Sequence, residues 1–137
     1  MYDHPTAAEL LAAARMHLEQ QVIPALTDQR LRFQTLVAAH VLAIAERELA
    51  LGEARLAAAW RRMAALEGTI GEAPSGPALR EAVATQARRL SARIRAGAYD
   101  TEPARAALLA HLKETAIAEL AVANPRYLAR LGLDRTV

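Results

Sequence analysis

Apolar residues recur every three or four positions through nearly the whole chain, a spacing that points to α-helix. Alanine and leucine supply 54 of the 137 residues, so helix propensity is high almost everywhere. No stretch alternates polar and apolar residues at period two, which leaves strands without support. The expected fold class is therefore all-α: one domain, an antiparallel bundle of five helices plus a short C-terminal helix. Only five residues are aromatic, so its core must be built from leucine, alanine and valine.

Local signals divide the pattern. Thr6 and Glu9 fit a capping box, and the first helix should run from there until Pro24 ends or kinks it. Leu10, Leu11, Ala14, Leu18 and Val22 line one of its sides. Asp28 is the expected N-cap of a second helix that reaches Leu51 and stops at Gly52. Phe33, Val37, Val41, Ile44 and Leu51 form its main stripe, and Leu31, Leu42 and Leu49 a second one. A helix apolar on two sides belongs in the middle of a bundle. A third helix over residues 53–67 should pack through Leu56, Trp60, Met63 and Ala64. Residues 68–77, with three glycines and two prolines, form the clearest loop. The fourth helix should open at Pro77, end at Gly97 and bury Leu79, Val83, Leu90 and Ile94. A fifth, from Pro103 to Ala123, should bury Leu108, Leu112, Ala116, Leu120 and Ala123. Asn124 then caps a last short helix that ends before Gly132.

Composition narrows the chemistry. There is no cysteine, which removes disulfides, thiolate metal sites and a cysteine nucleophile. The N-terminus lacks the basic and apolar regions of a signal peptide, and no run reaches the length of a membrane span, so a cytoplasmic protein without a membrane partner is expected. The net charge of +2 is unevenly spread. Residues 1–53 hold four arginines against seven acids, whereas residues 54–100 hold eight arginines against four acids. The basic middle suits an acidic partner or a solvated helix face. No aromatic residues interleave with its arginines and no helix-turn-helix is evident, which argues against nucleic acid.

Two carboxylates break the apolar faces: Glu48 on the second helix and Glu119 on the fifth. A buried carboxylate needs a partner, so each is either half of an ion pair to arginine or part of an internal polar cluster. His40, two turns from Glu48, is the natural third member of such a cluster. No Glu-x-x-His, His-x-x-x-His, phosphate-loop or nucleophile-elbow motif occurs, so neither metal nor cofactor is expected. The string from His111 to Glu114 runs in the reverse order for a carboxylate metal site and is expected to face outward. On the fourth helix Arg88, Arg89, Arg93 and Arg95 spread over the side away from the core. At the C-terminal corner, Arg126 offers a forked donor and Tyr127 an apolar ring with a polar tip. Tyr127 and Leu128 staple the last helix in place, or with Arg126 form a docking surface.

The opening Pro5-Thr6-Ala7-Ala8-Glu9-Leu10-Leu11 carries a family resemblance, as do the run from Ala38 to Leu49, Ile94-Arg95-Ala96-Gly97 and the stretch from Leu120 to Leu128. Together they resemble a bacterial family of small all-helical proteins of unknown function. The resemblance implies genes beside aminoglycoside-phosphotransferase-like kinases and acyl-CoA dehydrogenases, and hence an accessory role. It supplies no catalytic residues. The spacing of Arg105 and His111 also resembles the Arg-x(4–6)-His of helical nucleotide-binding ribonucleases, but Ala106 replaces the polar residue that usually follows the arginine. The expected function is a non-catalytic interaction protein that partners a kinase-like enzyme through Arg88, Arg95, Arg126 and Tyr127. A homodimer is expected as well. The alternative is a small-molecule-binding or enzymatic bundle built on His40, Glu48 and Glu119.

Overall fold

A computed structural model describes residues 4–134, all of whose regular structure is helical. The helices are α1 (Ala7–His17), α2 (Ile23–Ala25), α3 (Gln29–Glu67), α4 (Gly76–Arg95), α5 (Ala104–Ala123) and α6 (Pro125–Arg130). A π-helical turn, Leu18–Val22, joins α1 to α2 without a break. The chain divides into two compact units, Met1–Gly52 and Glu53–Val137, and the division falls inside α3.

In the first unit, α1 begins with the expected capping box. The Thr6 hydroxyl accepts from the Glu9 amide at 3.2 Å, and the Glu9 carboxylate accepts from the Thr6 amide at 2.6 Å. The Thr6 amide first, and then the Thr6 hydroxyl donating to the same carboxylate at 2.9 Å, hold the Glu9 carboxyl below its ordinary pKa. The helix ends at Ala25, one residue past the proline expected to end or kink it. Proline cannot donate a backbone hydrogen bond, but the π turn shifts the bonding register just before it, and helical geometry continues to Ala25. Asp28 caps α3, its carboxylate accepting from the amides of Arg30 and Leu31 at 2.8 and 3.1 Å. Arg15 grips Glu46 with two hydrogen bonds, Nε to Oε1 at 2.6 Å and Nη2 to Oε2 at 3.2 Å, tying α1 to α3. The carboxylate beside it raises the Arg15 pKa.

Gly52 does not stop the helix, so the two helices expected at residues 28–51 and 53–67 are one. Glycine ends helices when it takes a positive φ, as Gly68, Gly97 and Gly132 do; Gly52 does not. It is buried instead, and a β-carbon there would stand 3.3 Å from Glu48 Oε1. The stripe expected to make this helix central also lies elsewhere. Phe33 is 67% exposed and Val41 56%, with Val37 and Leu51 close to half exposed. The buried side of this stretch is the one that carries Ala39 and Glu46, roughly opposite the stripe at about 100° per residue.

The second unit holds the main core. Met63 of α3, Leu90 of α4, Tyr99 of the α4–α5 connection and Leu108 of α5 pack together, with Ala59, Leu66, Val83 and Ala104 around them. Leu79 is the most deeply buried large side chain at 1% exposure. Gly97, at φ 83°, turns the chain after α4, and the Arg93 guanidinium lies 5.4 Å over the Tyr99 ring. Asn124 caps α6 by accepting from the Tyr127 amide at 3.1 Å. Leu128, not Tyr127, is the residue buried at this corner.

Candidate functional site

Each residue singled out in the sequence has a definite place. His40 is exposed on α3, and Glu48 is partly buried against Gly52 one turn on. Glu119 belongs to the second unit and points outward: its side chain is 62% exposed and accepts a hydrogen bond from Arg55 Nη1. It is the exposed half of an ion pair whose arginine is largely buried. Arg88 and Arg95 are exposed on α4, with Arg88 donating to Thr85 Oγ1 at 3.1 Å. Arg126 and Tyr127 are exposed on α6.

The most distinctive polar group is one the sequence pattern pointed away from. His111 is 7% exposed, not outward-facing. The buried face of α5 runs through Leu108, His111 and Val122, while Leu112, Ala116 and Ala123, expected inside, are exposed. Leucines and alanines occupy every side of α5, so their spacing could not select the face; the packing of α3 against Leu108 does. Arg62 of α3 reaches the same place. Its Nη2 donates to Thr115 Oγ1 at 3.4 Å, and that hydroxyl in turn donates to the His111 carbonyl at 2.9 Å. Burial first, and the Arg62 charge second, push the His111 pKa below its ordinary 6.5, so the imidazole is neutral at physiological pH.

Two pockets meet at this pair. The larger, about 400 Å³, is walled by Ala65, Leu66, Ala104, Ala107 and Ala110 and carries Arg62, Tyr99, His111 and Glu114 as its polar groups. The smaller, about 260 Å³, lies between α3, α4 and α5, with Arg55, Arg62, His111, Thr115 and Glu119 among its lining residues. Three polar atoms of the larger pocket's side chains are sealed from solvent and have no hydrogen-bond partner: Arg62 Nε, Tyr99 Oη and His111 Nδ1. The arrangement can donate hydrogen bonds and offer one positive charge beside an apolar wall. The connection that includes Tyr99 is held by Arg105, whose guanidinium donates to the Asp100 carbonyl. His111, which shares the Arg-x(4–6)-His spacing with Arg105, is buried. Among the described residues no group of three or more histidines, aspartates or glutamates is placed to hold a metal. Nor, among them, is any helix long and apolar enough to cross a membrane.

No curated protein and no solved structure matches the chain. A family model does match, over residues 24–127, a span that takes in α3, α4 and α5 and with them Arg62, Tyr99 and His111. The chain belongs to the family described as Domain of unknown function (DUF6285).

Proposed function

We propose that this chain is a non-catalytic helical accessory protein that binds another protein through the first part of α3. The observation that carries the reading is the uncovered stripe of Phe33, Val37, Val41 and Leu51, apolar side chains at helical spacing on one side of a helix. Soluble proteins rarely leave a contiguous apolar surface uncovered unless something binds there. A stripe of this kind fits the apolar face of an amphipathic helix. The partner is a kinase-like enzyme, the class implied by the family resemblance of the sequence. Arg88, Arg95, Arg126 and Tyr127 supply a second, polar contact surface for an acidic region of the same partner.

A second copy of the chain is the other reading, and the order of charges along α3 favours it. Arg30 precedes the stripe's centre and Glu48 follows it on the same side of the helix. Antiparallel pairing of two copies with Val37 opposite Val41 sets Arg30 of each against Glu48 of the other.

Light scattering on the protein alone, and mixed with the kinase-like enzyme encoded beside a family member, tests both readings. A mixed complex that is lost in Val37→Glu, with the circular dichroism of the variant unchanged, is the expected result. A homodimer abolished by the same substitution would establish the second reading instead. A monomer that binds nothing, or a complex indifferent to Val37→Glu, would overturn the assignment of the stripe.

A further inference from the structure

The sealed polar atoms beside the larger pocket have no part in docking through α3. Buried donors and acceptors without partners are rare, and solvent cannot satisfy these because none touches it. His111 and Tyr99, at 7% and 6% exposure, are among the most buried residues of the chain, yet both line a pocket of about 400 Å³. A core histidine and tyrosine kept only for packing would be expected to find hydrogen-bond partners within the fold.

The chemistry of the groups selects a ligand. Arg62 Nε and Tyr99 Oη carry protons to donate, and a neutral imidazole donates from Nδ1 in one of its two tautomers. All three residues line the same pocket and each has a proton to donate, which suits an acceptor group, and the guanidinium makes a negatively charged acceptor the best match. Glu114 on the same lining adds a negative charge, which repels a dianion such as phosphate more strongly than a monoanion. The remaining wall, four alanines and Leu66, is apolar and lacks bulk, so the rest of the ligand is a compact hydrocarbon or aromatic body. We infer that the second unit holds a binding site for a small organic monocarboxylate. Its carboxylate is received by Arg62, Tyr99 and His111, and its apolar body lies along Ala65, Ala104, Ala107 and Ala110. The three atoms are reached by rotation of their side chains as the ligand enters.

Benzoate and hexanoate are suitable probes, with benzamide as the neutral counterpart of benzoate and inorganic phosphate as the dianion. Titration of the full chain, monitored by calorimetry and by the ring proton signals of His111, should show one saturable benzoate site with a dissociation constant on the order of 1 mM. Tyr99→Phe removes only the hydroxyl and should weaken binding about tenfold; Arg62→Gln should weaken it by about tenfold or more. Benzamide should bind at least about tenfold more weakly than benzoate. The proposal fails if neither acid saturates a site or if Tyr99→Phe, with its fold intact, binds benzoate as the parent does. Equal binding of benzamide would remove the requirement for charge, and competition by phosphate would remove the preference for a monoanion; either overturns the assignment.

Discussion

The two units of this chain use the same residue types in opposite ways. Up to Gly52, large apolar side chains such as Phe33 and Val41 stand in solvent, and an arginine–carboxylate pair with a few buried residues, among them Ile23 and Ala39, ties the helices together. Beyond Gly52, leucine, methionine and tyrosine interlock in a core, and the unpartnered polar atoms are inside. The contrast teaches that hydrophobic content does not decide where a core forms. The second unit closes on itself because four segments bring apolar faces to one place. The first has fewer segments to do so, and one of its apolar faces is left exposed.

The largest expected effect tests that contrast directly. Leu79→Ala should cost about 2–5 kcal/mol, read as a fall in the urea midpoint. Val41→Ala, also a truncation of a branched aliphatic side chain, should change stability by less than about 0.5 kcal/mol. Equal losses would mean that the stripe is covered within the molecule. Next in size is Glu46→Gln. Removing the charge that Arg15 grips should weaken the link between α1 and α3 by about 1.5–3 kcal/mol. Native-state hydrogen exchange should show faster opening of α1 with α5 amides unchanged; a matching change in α5 would make the two units one cooperative block. The smallest effect is a pH slope in the second unit. The folded pKa of His111 lies below 6.5, so as pH falls the unfolded chain takes up the proton first. The stability supplied by the neutral imidazole is therefore complete above pH 6.5 and is lost as pH falls through the window below it. His111→Leu should remove that slope, and a midpoint with the same pH dependence in both proteins would show that the imidazole is not responsible.

Local signals in the sequence were legible, and the choice of faces was not. Thr6 with Glu9, Asp28 and Asn124 cap helices because their side-chain oxygens reach the first free amides, a relation set within three or four residues. On α4 the buried face was legible in part: Leu79 and Leu90 are buried as expected, whereas Ile94 is 37% exposed and Gln86 is buried in addition. Gly52 misled because glycine ends a helix only in a backbone conformation that the residue type permits without requiring. His111 was missed for a different reason. With leucine and alanine all around α5, burial is decided by what α3 presents at Arg62 and Met63, which no spacing within α5 records. The unpartnered hydroxyl of Tyr99 is visible only in three dimensions.

The π turn of Leu18–Val22 bears on how such a chain tolerates change in length. Its wider turn accommodates about one residue more than an ordinary helical turn, and the helix on either side keeps its face around that surplus. Deleting Pro24 would remove both the extra residue and the ring that cannot donate to the preceding turn, so the segment could close to α geometry with Arg15 still facing Glu46. A single deletion between Gln29 and Glu46 has no such reserve. It would rotate Glu46 by about 100° relative to the start of α3 and carry it away from Arg15. Descendants of this chain should therefore lose a residue near Pro24 more readily than anywhere in the first half of α3.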